Sequence, residues 1–330
     1  MLLRNQMNNK FKYDIKCCFF CKIIYLSNKI NLILIFIFLY WFSKFFPFKE
    51  YTKIKVGLCT VGRKENLYAQ EFIDYYIKLG IDHIFIYDDN DKNTEKISSI
   101  LKPEYNQYVT VYENQTNETK YQCGVYNNCY KNNNKKFDWL LMIDMDEFLY
   151  IKKFNLKYYL SKSIFKKCDF IKFNWVIPTD NNLLHYDNRS LFERFCGPYK
   201  KSIFVKSIVR GNIPKLKFMV HSPIESPIKN ITCNNQGKRI FYKIMNFEYM
   251  PINIKEAYII HFKYKSTEEY INKYKRGYHL WQGEKLLEVL KYKINEYLND
   301  NEITLEKLDY IEKELNLNLT EYKKQISLKK

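Results

Sequence analysis

A chain of 330 residues, 46% of them apolar, can bury a full core, which excludes a disordered tail and leaves room for one large domain or two modest ones. The formal charge of +18 rests on 47 Lys and only seven Arg, spread along the whole chain without a recognisable base-reading module. That pattern argues against nucleic acid as the partner and for attraction to anionic membrane surfaces.

The first feature in chain order is the run from Ile30 to Phe48, whose polar residues are only Asn31, Ser43 and Lys44. It predicts a transmembrane anchor over 30–48, with Tyr40 and Trp41 at the interface. Arg4, Lys10, Lys12, Lys16, Lys22 and Lys29 face only Asp14 before it, so residues 1–29 are expected as a cytosolic tail. No small-residue cleavage site follows, which makes the anchor uncleaved and the protein single-pass type II, with its bulk in the lumen of the ER or Golgi. The competing reading is an interfacial amphipathic helix. Cys17, Cys18 and Cys21 lie where palmitoylation is plausible. Of the six later cysteines, Cys59 ends a buried strand and is expected to stay a thiol. Sequons at Asn114, Asn117, Asn188, Asn230 and Asn318 fit a secretory route.

After a short stem at 49–54, the alternation of elements predicts a doubly wound α/β domain with a mostly parallel sheet over 55–265. Ile54 to Thr60 reads as a strand, followed by the loop Val61 to Asn66. Leu67, Phe72, Ile73, Tyr76, Ile77 and Leu79 recur at helical spacing, and Gly80 stops the helix. His83 to Tyr87 is a second strand ending at Asp88. A helix near Asn93 to Leu101, a strand near Val109 to Tyr112 and a helix from Cys123 to Lys131 lead to the run Trp139 to Ile143, which reads as a strand buried on both faces. Further strands are expected at Phe170 to Val176, Ser202 to Val209 and Ala257 to Phe262. Two amphipathic helices, from Glu284 and from Leu305, give a solvated helical segment over 266–330. Neither G-x-G-x-x-G nor a P-loop is present.

Directly after the buried run come Asp144, Asp146 and Glu147, at the strand end where open α/β sheets bind ligands. An extended backbone would point Asp144 and Asp146 the same way, with Met145 opposite. Two hard oxygen donors suit Mn²⁺ or Mg²⁺ carrying a phosphorylated substrate. A second D-x-D, Asp89-Asn90-Asp91, lies in a polar loop and is not assigned to the metal. His221 and His261 follow strand-like runs and are candidates to complete the cation site, His261 being preferred. Lys275 and Arg276 could hold a diphosphate.

The succession Gly62 to Asn66, Glu71 to Ile84, Tyr87 to Asp91, Trp139 to Phe148, Leu191 to Phe195, Lys206 to Arg210, His261 to Ser266 and Lys275 to Gly277 resembles glycosyltransferase family 92 and related family-2-like enzymes. The resemblance covers roughly 55 to 280, with Arg63-Lys64-Glu65 where the family loop usually has Lys-Asn-Glu. It implies a GT-A-like fold and a metal-dependent, inverting transfer from a nucleotide-sugar donor, expected to be a UDP-sugar, to a glycan or glycoconjugate. It places Arg63, Glu65, Asp88, Asp144 and Arg276 on the donor and Asp144, Asp146 and His261 on the cation. Inversion requires one carboxylate to take the acceptor proton. Asp180, Asp187, Glu193 and Glu225 are the candidates, and Glu193 is favoured because it lies in a matching segment. The rival readings are a carbohydrate-binding scaffold without turnover and a basic membrane-surface or nucleic-acid-binding protein.

Overall fold

The computed structural model describes residues 53–113, 121–152, 155–224, 230–240, 248–275 and 284–327. The expected tail and anchor, Arg276, Glu225 and the sequons at Asn114 and Asn117 lie outside them. Among the described residues no helix is long and apolar enough to cross a membrane.

From residue 54 onward the chain forms one compact unit around a mixed sheet. Strands β1 (Val56–Gly62), β2 (His83–Asp88), β3 (Val109–Glu113) and β4 (Trp139–Met142) run parallel in the order β3-β2-β1-β4. The order continues through β7 (Tyr199–Arg210), β6 (Phe170–Pro178), β9 (Ala257–His261) and β5 (Glu147–Ile151), with β8 (Thr232–Asn234) beside β6. Here β4/β7, β6/β7 and β5/β9 are antiparallel, while β6/β9 and β6/β8 are parallel. The sheet is therefore mostly parallel, as expected, but its second half is mixed.

Alternate side chains of the parallel strands enter separate cores, so both faces are covered. Leu58, Ile84 and Ile86 meet Ala69, Phe72, Ile73 and Tyr76 of helix α1 (Asn66–Leu79) on one face. Cys59, Phe85, Tyr87, Leu140 and Met142 meet Val125, Tyr126, Cys129 and Tyr130 of a later helix, Tyr121–Asn133, on the other. Gly80 ends α1 at φ 106°, a left-handed conformation that costs a residue with Cβ more than glycine, and its N–H donates to Ile77 O. Between these helices lies α2 (Ile97–Ile100), so the helix Tyr121–Asn133 is α3.

Two expectations are corrected. Cys59 is not a thiol: it faces α3 and is bonded to Cys129, with Cα atoms 6.3 Å apart, and a second disulfide joins Cys168 to Cys233. The segment after 266 is also more than a solvated cap. After α4 (Leu156–Ser161) and α5 (Leu191–Arg194), helices α6 (Thr267–Lys275), α7 (Glu284–Asp300), α8 (Leu305–Leu315) and α9 (Thr320–Ser327) complete the chain. Tyr270, Ile294, Tyr297, Leu298, Leu308 and Ile311 from this segment join the principal core with β1 and α1.

Candidate active site

The order β3-β2-β1-β4 reverses direction at β1, since β2 and β3 lie on one side of it and β4 on the other. Loops at the carboxyl ends of β1 and β4 therefore flank the crevice where α/β sheets bind ligands. The two aspartates after β4 are not on an extended strand. The strand ends at Met142, and the N–H of Glu147, the first residue of β5, closes a turn onto Asp144 O at 3.1 Å. Met145 is buried in the core, and the two aspartates find different partners.

Asp144 is held by one cation from the sheet and by a hydroxyl and an amide from α3. Lys206 of β7, fully buried, places Nζ 2.9 Å from Oδ1, Tyr126 donates its hydroxyl at 2.6 Å, and Gln122 donates its amide. Burial disfavours the Lys206 charge, but Asp144 and Glu147 outweigh it and raise its pKa. The same ammonium donates to Val220 O at 3.0 Å and lies 3.7 Å from Glu147. Burial, reinforced by Asp144 and Asp146, holds the Glu147 carboxyl well above its ordinary range, against the pull of Lys206.

Asp146 belongs to the other side of the turn. Its Oδ1 lies 3.6 Å from His261 Nε2 and its Oδ2 accepts from Lys273 Nζ of α6 at 2.9 Å. Burial works against its charge, but Lys273, His261 and Lys265 hold the carboxyl well below the usual range. Burial keeps the His261 imidazole toward its neutral, ligating form, although Asp146 opposes this. Two buried atoms here lack hydrogen-bond partners, His261 Nδ1 and Glu147 Oε1, 3.9 Å apart.

Lys273, the partner of Asp146, lines a cavity of about 230 Å³ walled by Lys64, Glu65 and Tyr68 after β1 and by Lys263, Lys265, Glu268 and Glu269 after β9. Lys265, at φ 56°, reaches Glu65 at 2.6 Å and lies 4.0 Å from the centre of the Tyr68 ring. Buried Arg194 braces this wall, donating to Glu269 at 2.7 Å and to the Tyr68 hydroxyl at 2.9 Å. Lys273 links this cavity to the acidic turn, lining the one and pairing with Asp146 of the other.

Other residues expected at the site have different surroundings. Asp88 is fully buried, and both its oxygens accept backbone N–H groups, from Asn90 at 2.8 Å and Ile97 at 2.7 Å, which shapes the loop after β2. Arg63 is drawn to the second D-x-D, 3.4 Å from Asp89 and 3.1 Å from Asp91. Glu193 is exposed and completes a capping box with Ser190 at the start of α5. Asp180 is buried against Lys307 at 2.7 Å and the Tyr297 hydroxyl, fastening α7 and α8 to the end of β6. Those contacts give Glu193 and Asp180 structural work, and neither contacts the acidic turn. His221, packed between Trp175 and Phe204, is lowered to about 3 by burial and the nearby Lys206.

Asp146 and His261 fit a divalent cation: a hard carboxylate oxygen and a neutral imidazole converge, and unsatisfied buried atoms adjoin them. Asp144 does not join them in a closed cage, since Lys206 holds it on the other side. Among the described residues no group of three or more His, Cys, Asp or Glu side chains is placed to hold a metal. A cation here would complete its coordination with substrate phosphates, the arrangement that Mg²⁺ commonly takes.

Residues 53–319 match the sequence profile of glycosyltransferase family 92. The chain belongs to this family. The match bears out the resemblance carried by the motifs and supports a glycosyl transfer role. A search of curated proteins finds no match. Among solved structures the family 92 chain is similar to S. aureus TarS, at 11% identity and a TM-score of 0.35 over 75% of this chain, and spans 43% of the TarS chain. It is similar to HddC from Yersinia pseudotuberculosis at 11% identity and a TM-score of 0.35, over 66% of this chain and 96% of that one.

The roles of Lys206, Lys265 and Lys273 were missed in the sequence. One local signal was available for α6, which carries Lys273: Ser266 and Glu269 form a reciprocal cap, with Ser266 N–H donating to Glu269 at 3.1 Å and Glu269 N–H to Ser266 Oγ at 3.3 Å. The S-x-x-E spacing marks a helix start.

Proposed function

We propose that this family 92 protein transfers a sugar, with inversion, from a nucleotide diphosphate donor to a glycan or glycoconjugate acceptor, with Mn²⁺ or Mg²⁺ as cofactor. The observation that carries the reading is the Asp146–His261 pair, joined through Lys273 to a cavity that four lysines line. Asp146 and His261 hold the cation, which supplies Lewis-acid stabilisation of the departing diphosphate. Lys265 and Lys273 add positive charge beside the same phosphates, and the loop at Lys64 and Glu65 bounds the nucleotide. Lys206 fixes Asp144 and thereby the conformation of the turn that presents Asp146. UDP is the nucleotide we expect.

The reading includes a type II protein with its catalytic unit in the ER or Golgi lumen. Two disulfides among the described residues support an oxidising compartment, and the sequon residues Asn188 and Asn318 are exposed. The decisive experiment incubates the full chain with a panel of nucleotide sugars and measures nucleotide release with and without manganese. Release that depends on manganese and on one donor supports the proposal. Failure of every donor, with nucleoside diphosphate still bound, favours a scaffold that lost turnover.

A further inference from the structure

Resting on that cation site, we infer that Lys273 is a resident counter-cation of Asp146, displaced by the divalent metal and received by the donor's diphosphate. Through it, metal and diphosphate binding become coupled.

Asp146 has two oxygens, and each faces a different group. Oδ1 looks toward His261 Nε2 at 3.6 Å, while Oδ2 accepts from Lys273 at 2.9 Å. A carboxylate with an ammonium in contact is a poorer ligand for a second cation, because like charges held a few ångströms apart repel and the local medium screens them weakly. Metal entering between Asp146 and His261 must therefore draw Asp146 away from Lys273 or force the ammonium to leave.

Lys273 has somewhere to go. Its side chain is 31% exposed, against 8% for Asp146, and it lines the cavity that also holds Lys263 and Lys265. The other two lysines have carboxylate partners apart from the acidic turn, Lys263 with Glu296 and Lys265 with Glu65. Of these three cavity lysines, Lys273 is the one whose ion pair is with the proposed ligand. A diphosphate in the cavity offers its ammonium new acceptors, so each ligand lowers the cost of binding the other. Linkage makes the effect reciprocal.

Calorimetric titration of Mn²⁺ into the full chain, without nucleotide, tests this. Lys273→Met and Lys273→Gln should each bind Mn²⁺ about tenfold tighter than the parent, a coupling of ordinary size. Saturating UDP should tighten Mn²⁺ in the parent by a larger factor than in either variant. Lys263→Met, which removes a cavity charge without touching Asp146, should change Mn²⁺ affinity much less. Unchanged or weaker Mn²⁺ binding in both Lys273 variants, with binding still lost in Asp146→Asn, overturns the counter-cation and leaves the metal site standing. Equal tightening by Lys263→Met overturns it as well, since a general field effect would then suffice. No Mn²⁺ binding by parent or variants, with or without UDP, removes the metal site and this inference with it.

Discussion

Asp144 and Asp146 stand two residues apart, yet the turn that carries them divides two unlike regions. On the Asp144 side, Lys206, Tyr126 and Gln122 converge on one oxygen, Oδ1, from a fully buried strand lysine and from α3, which the Cys59–Cys129 disulfide ties to β1. On the Asp146 side, a histidine approaches without closing a short contact, a partly exposed lysine supplies the counter-charge, and a cavity opens. Three donors converging on one oxygen hold a conformation. A buried carboxylate whose counter-cation is partly exposed and lines a cavity can exchange that partner. The comparison teaches that a D-x-D tripeptide need not supply two equivalent ligands: the first acid can set the turn and the second present the charge.

The largest expected effect breaks the Asp144 side from a distance. The Cys59–Cys129 bond spans a separation of 70 residues, and replacing both cysteines by Ala should cost about 4 kcal/mol of stability by the loop-entropy relation. Urea denaturation measures it, and a loss below about 1 kcal/mol would mean that α3 is held by packing alone.

Lys206→Met comes next. Removing the ammonium leaves Asp144 and Glu147 without their shared cation, and breaking a buried pair this way costs about 3 to 4 kcal/mol. Chemical denaturation should show the loss. A fully stable variant would contradict the structural role given to this side.

Asp146→Asn should do the reverse, removing function far more than stability, because the partly exposed Lys273 it leaves can turn toward solvent. Loss of a transition-state charge contact costs about 3 kcal/mol in barrier, or roughly a hundredfold in rate. EDTA should abolish transfer by the parent protein and have no further effect on the variant. If Asp144→Asn removed manganese dependence while Asp146→Asn kept it, the assignment of the two sides would be reversed.

The smallest effect is expected at Asp91→Asn. Its pairs with Arg63 and Lys64 are half exposed, so stability should fall by under about 1 kcal/mol, and manganese dependence of nucleotide release should persist. A loss of manganese dependence would draw the second D-x-D into the metal site.

Much of the first half was legible because its signals are local. Continuous apolar runs on β1 and β2, helical spacing on α1 and the stop at Gly80 each act within a few residues. The apolar run at Trp139 to Ile143 announced a strand buried on both faces, and the ordered motifs announced the family. The extended geometry expected for Asp144 and Asp146 was wrong because a two-residue alternation holds only while the strand lasts, and β4 ends at Met142. Glu193 drew attention as a carboxylate in a matching segment, yet Ser190, three residues earlier, already spelled a helix cap.

The sequence by itself thus determined the parallel strand and helix alternation, the acidic cluster at the end of a buried strand and the family. Only the tertiary structure decided which cation answers each acid, that Cys59 meets Cys129, and that the helices after residue 266 share the main core. Lys273 is 127 residues from Asp146. An ion pair across such a distance leaves no periodicity in the chain, because Coulomb attraction depends on separation in space, and that separation exists only once the sheet has folded.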